Sequence, residues 1–172
     1  MDVVPGTTAE QAWERGQLDA DSLVQVCLQM GKMLANLHSV RLGSGGGGLP
    51  VLELSTTGSA RLLHLDYHLG NVLGRPRIGA GWEITGVLDW TCARWGPPEA
   101  DFVEMQVSVF IRNPRARDAF VAGYRRVANR AVDLLEVERR AAREIRRRLA
   151  SDPTEGGEAR AYWATWAEKH ED

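Results

Sequence analysis

Disulfide bonds, membrane spans and a surplus of either charge all have little support in this 172-residue chain. Two cysteines, Cys27 and Cys92, are too few for a disulfide scaffold and fit a reduced cytosolic protein. No apolar run approaches the roughly 20 residues that cross a bilayer. The first residues lack both the basic start and the apolar core of a signal peptide, so the expected compartment is the cytoplasm. A net charge of −2 gives no global pull toward nucleic acid or membrane, and neither is an expected partner. What remains is one domain, 1–172, long enough to bury roughly 70% of its unfolded surface.

One stretch carries chemistry. His64-Leu65-Asp66-Tyr67-His68-Leu69-Gly70-Asn71 is followed, after a Gly- and Pro-containing run, by the apolar segment Ile84-Thr85-Gly86-Val87-Leu88 and then Asp89-Trp90. Phosphoryl transfer asks a protein for a positioned nucleophile and for cations that neutralise the moving charge. Asp66 is a carboxylate able to accept the hydrogen bond, and finally the proton, of an attacking hydroxyl. The amide oxygen of Asn71 and the carboxylate of Asp89 are hard ligands that suit magnesium and leave room for phosphate oxygens and water. Residues 71–73 read as a short strand, 74–81 as a turn and 82–88 as the returning strand, which brings Asp89 back beside Asn71. Taken singly, each of these residues reads as turn or capping chemistry. Their order and apolar flanks favour the site. A rival reading takes His64, Asp66 and His68, at alternate positions of an extended segment, as the metal ligands of a hydrolase.

The pattern His-x-Asp-x-x-x-x-Asn, then a strand ending in Asp, resembles the catalytic loop and metal strand of the aminoglycoside phosphotransferase family, relatives of protein kinases. That family commonly has His-Gly-Asp-x-His-x-x-Asn here, and this chain has Leu65 where Gly is usual. The resemblance implies catalysis by Asp66, metal binding by Asn71 and Asp89, and structural support of the loop by His64 and His68. It extends to Gly96-Pro97-Pro98-Glu99-Ala100-Asp101-Phe102, where Asp101 corresponds to a carboxylate that accepts backbone hydrogen bonds from the catalytic loop. The ending Leu34-Ala35-Asn36-Leu37-His38 matches the helix that leads into that loop.

Met1 to Thr7 resembles the hinge between the two lobes of such enzymes, which implies nucleotide contacts at Asp2 and Val4. The family's glycine-rich hairpin, strand lysine and helix glutamate stand before the hinge, and here they have no counterpart. The only lysines, Lys32 and Lys169, are not placed to replace the missing one. The resemblance therefore covers the large lobe alone. It leaves open a truncated form, a half-enzyme that pairs with a small-lobe polypeptide, and a non-catalytic binding remnant; the apolar surface left by the missing lobe also makes a homo-oligomer an expected state. Gly43-Ser44-Gly45-Gly46-Gly47-Gly48 spells a nucleotide-loop motif but follows a helical stretch instead of a strand, so residues 43–49 read as a flexible linker.

Helical periodicity fills most of the rest. Asp21 or Ser22 is expected to cap a helix whose apolar residues run from Leu23 to Leu37. Further helices are expected over 99–111, 114–127 with Pro114 in the first turn, 129–149, and from 158 onward. On the third of these, Glu136–Arg140 and Glu144–Arg148 are spaced as ion pairs. Arg146-Arg147-Arg148 reads as a dipole-complementing helix terminus in preference to a nucleic-acid patch. The expected fold is α+β and mainly α-helical: a protein-kinase-like C-terminal lobe with a short catalytic β-hairpin and no N-terminal lobe. The expected function is transfer of the γ-phosphoryl group of ATP, with Mg2+, to a hydroxyl of a small molecule.

Overall fold

The computed structural model describes residues 6–41, 48–52, 60–77, 81–128, 131–151 and 158–170. The hinge residues Asp2 and Val4, and most of the glycine-rich stretch at 43–48, lie outside them. Among the described residues the chain is mostly helical with two small antiparallel sheets, and no helix is long and apolar enough to cross a membrane.

Two helices make the scaffold. Helix α2 (Ala20–Leu37) buries Leu23, Val26, Cys27, Met30 and Leu34 on one face. Its cap is Asp19, earlier than the expected Asp21 or Ser22: Asp19 has extended backbone and its carboxylate accepts the Ser22 N–H at 2.7 Å, whereas Asp21 is already in the first turn. That backbone hydrogen bond holds the Asp19 carboxyl below its ordinary range. Helix α4 (Pro114–Ala128) lies against α2 so closely that the backbones touch. A Cβ at Gly31 would stand 2.0 Å from the Phe120 carbonyl oxygen, and one at Gly123 would stand 2.1 Å from that of Leu28. Only glycine fits either position. Over the crossing, Phe120 meets Tyr67, Phe102 and Phe110 edge to face, and Tyr124 meets Phe102. Burying each such ring is worth about 1.5–3 kcal/mol and each edge-to-face pair about 0.5–1.5 more.

The hairpin pairs β3 (Val72–Pro76) with β4 (Trp82–Val87), from Val72 opposite Val87 to Pro76 opposite Trp82, with an irregularity between Leu73 and Gly74. Strand β1 (Thr7–Thr8) adds to its edge and leads into α1 (Ala9–Glu14). The turn expected from Gly74 starts later, because Gly74 is itself in the strand. A Cβ there would meet the Glu83 carbonyl at 2.6 Å and the Trp82 ring at 2.8 Å, so glycine lets the strands close where the ladder bends. A second ribbon pairs β2 (Arg61–Leu63) with β5 (Arg94–Gly96) on either side of the His64–Asp89 region.

The helix expected over 99–111 is three segments: a 3-10 turn at Pro98–Phe102, α-helix α3 (Val103–Met105) and a π-helical stretch at Gln106–Phe110. The Ser108 hydroxyl donates to the Glu104 carbonyl at 2.6 Å and competes for the acceptor of its own helical N–H, which accounts for the widened turn. Helix α5 begins at Leu134, later than expected, because the Asp133 carboxylate caps it by accepting the Glu136 N–H at 3.1 Å. Val107 from the π stretch packs in one apolar cluster with Ala141, Ala142 and Ile145 of α5 (Leu134–Ser151) and Ala167 of α6 (Glu158–Lys169).

Candidate active site

The loop from His64 to Asn71 rests on a buried carboxylate. Asp101 is 1% exposed and accepts three hydrogen bonds: the His64 N–H at 2.9 Å and Leu65 N–H at 2.5 Å from the loop, and His38 Nε2–H at 2.9 Å from the end of α2. A buried charge needs such partners. With Nε2–H of His38 given to Asp101, the Tyr124 hydroxyl donates to Nδ1 at 2.9 Å, so α2, α4 and the loop share one chain of polar contacts. Two successive N–H groups thus meet one carboxylate, and immediately after them the backbone of Leu65 is left-handed, with φ +64°. A leucine there costs roughly 1–2 kcal/mol. Tyr67 is buried and donates to the Met30 carbonyl at 3.0 Å. Burial, together with the nearby Asp101 charge, pushes its hydroxyl well above the ordinary range and keeps it a donor.

His64 ties this underside to the far end of the hairpin. Its fully buried ring donates Nε2–H to the Leu88 carbonyl at 2.8 Å and accepts the Asp66 N–H on Nδ1 at 3.3 Å. One neutral tautomer satisfies both. The ring also packs at 4.7 Å between centroids against Trp90. The Asn71 carbonyl accepts the Leu88 N–H at 2.8 Å, so Asp89 follows directly on the strand that flanks Asn71.

On the open side, Asn71 Nδ2 donates to Asp66 Oδ2 at 2.8 Å and to the Asp66 carbonyl at 2.9 Å. Both amide hydrogens are thereby used and Oδ1 of Asn71 is left as an acceptor. His68 accepts the Gly70 N–H on Nδ1 at 3.1 Å, which leaves Nε2 to face Asp66 Oδ1 at 3.4 Å. The Asp66 carboxylate is thus steadied from two sides, with 36% of its side chain open to solvent. Asp89, also left-handed at φ +55°, is exposed. The Thr91 hydroxyl at 2.5 Å and N–H at 3.2 Å both donate to Oδ1, and they hold its carboxyl below the ordinary range while Oδ2 stays unengaged.

The donors on the open side are therefore an amide oxygen and a carboxylate oxygen, hard ligands of the kind a Mg2+ ion takes alongside phosphate and water. The hydrolase reading finds no such fit. His64 spends both ring nitrogens inside the fold, and among the described residues no three His, Cys, Asp or Glu side chains group as a metal site. Three contributors went unassigned in the sequence. His38 was visible as a helix ending but not as a partner of Asp101, Tyr124 lies 86 residues from His38, and Thr91 orients Asp89. Only Thr91, two residues after an Asp, carried a local signal.

A search of curated proteins and a search of solved structures returned no match. A family model described as "Phosphotransferase enzyme family" matches residues 49–135, which hold the whole loop, the hairpin, Asp89 and Asp101. With about half of its length matched, and with the loop and the strand that precedes Asp89 hydrogen-bonded to each other as described, the chain belongs to the phosphotransferase enzyme family.

Proposed function

We propose that this chain forms the large lobe of a kinase-like enzyme that moves the γ-phosphoryl group of ATP, with Mg2+, to a hydroxyl of a small-molecule acceptor. The observation that carries the proposal is the orientation of Asn71: its amide hydrogens fix Asp66, and this leaves its amide oxygen free as Asp89 leaves Oδ2 free. Asn71 Oδ1 and Asp89 would hold the ion. A bound Mg2+ supplies neutralisation of phosphate charge and a template for the transferring group.

The chain's own residues do the rest. Asp66 accepts the hydrogen bond of the acceptor hydroxyl, aims its oxygen, and takes its proton as the bond to phosphorus forms. Asn71 and His68 keep the Asp66 carboxylate in place, and Asp101 fixes the backbone beneath it. Thr91 holds Asp89 ionised and oriented. Asp2 and Val4 belong to this reading as hinge contacts to the nucleotide.

Calorimetric titration of the chain with ATP and Mg2+, beside an Asp89→Asn variant, tests the site. Binding that requires Mg2+ and vanishes in the variant supports it. Binding of equal strength in the variant removes Asp89 from the metal site, and no binding by the chain alone means a fragment, a half-enzyme awaiting its partner or a non-catalytic remnant.

A further inference from the structure

A cleft of about 490 Å3 opens beside the loop, floored by the apolar side chains of Leu52, Leu65 and Val103 and edged by Arg140, Arg143 and Arg147 of α5. Two features make it more than a surface furrow. Leu65 keeps a left-handed backbone that glycine would adopt without cost, and it lines the cleft. The hydrogen bond from the Leu65 N–H to Asp101 uses the backbone alone and gives no reason for a leucine. Supplying apolar surface one residue before Asp66 does.

The charges of the rim are unequal. Glu104 and Glu144 also line the cleft, but both are engaged by Arg148, and Glu144 additionally takes a bidentate bond from Arg147 at 2.7 and 2.8 Å. Arg140 Nε lies 2.7 Å from Glu136 Oε1 with its N–H off the line of contact. Arg143 reaches that same oxygen at only 3.4 Å, with 59% of its side chain exposed. The glutamates are thus saturated by arginines and Arg143 is held loosely at the mouth.

We infer that this cleft receives the acceptor, and that the acceptor is an alcohol with an apolar body and an anionic group, such as a carboxylate. The body lies on Leu65 and its neighbours and the anion meets Arg143. A polycation is repelled by the same rim. The assignment of the cleft to the acceptor rests on the phosphotransferase reading above; its preference for an anion does not.

Binding of three probes of one shape tests it, in the absence of nucleotide and Mg2+: 4-(hydroxymethyl)benzoate, its uncharged methyl ester, and 4-(aminomethyl)benzyl alcohol. The benzoate is expected to bind at least about tenfold more tightly than the amine, the ratio one charge-assisted hydrogen bond supplies. Arg143→Gln is expected to bring the benzoate down to the ester, and Leu65→Gly, which relieves backbone strain and so keeps the fold, to weaken benzoate and ester alike. Equal or tighter binding of the amine, no binding of any probe, or indifference to both variants overturns the inference. If the probes behave as expected while Mg-ATP fails to bind, this chain alone does not hold the nucleotide and the anion site stands. If Mg-ATP binds and the probes do not, the reverse holds.

Discussion

The two faces of the His64–Asn71 loop are built on opposite principles. Beneath it, Asp101 is buried and saturated by donors from three directions, while above it Asp66 and Asp89 are partly or fully open and each keeps an oxygen lone pair unclaimed. The underside specifies position and the upper side is left available for chemistry. On the proposed reading, rigid placement of the Asp66 carboxylate comes from a second carboxylate that does not reach the reactants.

The sharpest way to break the comparison is to remove the underside. Asp101→Ala leaves two buried donors and one part-buried donor without an acceptor and is expected to cost about 3–5 kcal/mol, read as a drop in the urea midpoint. An unchanged midpoint would mean that the loop is held by something else. Gly31→Ala tests the scaffold below it. A methyl aimed at the Phe120 carbonyl forces α2 and α4 apart, with an expected loss of about 3 kcal/mol or more by thermal unfolding. Gly16, at whose Cβ position nothing lies within 4 Å, is the control for crowding, although its φ of +68° adds its own strain.

Substitutions on the upper face sharpen the contrast by doing the opposite. Asp66→Asn is expected to leave stability within about 0.5–1 kcal/mol, as for a solvent-accessible site. Phosphoryl transfer by the assembled enzyme should fall by at least about 100-fold, measured by product formation from radiolabelled ATP. Loss of folding in this variant would place Asp66 with the structural group instead.

The smallest effect lies in acid. The Arg147 hydrogen bond, aided by Arg148, holds the Glu144 carboxyl below its ordinary value near 4.5. A carboxyl whose folded value is depressed contributes stability that is complete above its unfolded value and is lost as pH falls through the folded one. The Glu144 contribution is therefore expected to be complete above pH 4.5 and to decline below it. Glu144→Gln should lessen that decline, as seen in denaturant midpoints between neutral pH and pH 3.

The difference between the faces also explains what could be read from sequence. The upper-face residues Asp66, Asn71 and Asp89 announce themselves because the chemistry proposed for them demands particular residue types at fixed local spacing. The long helices were legible for a related reason: Leu23, Val26, Met30 and Leu34 repeat with the helical period. The underside depends on meetings between distant segments, such as His38 with Asp101 and Gly31 with Phe120, which no local pattern encodes. Errors at element ends have the same origin. Asp19 outcompetes Asp21 as a cap through backbone conformation, and the π stretch follows from a side-chain bond of Ser108 that a periodicity count does not see.

The bonds from His64 and Leu65 to Asp101 also carry a kinetic consequence. These two amide protons are spent on a carboxylate that is 1% exposed and is tied through His38 and Tyr124 to α2 and α4. Their hydrogen exchange should therefore follow the opening of the whole core, with the slowest amides of α2, while the N–H of Thr91 on the exposed Asp89 turn exchanges through local motion. A loop by connectivity, this segment should behave as core by exchange rate.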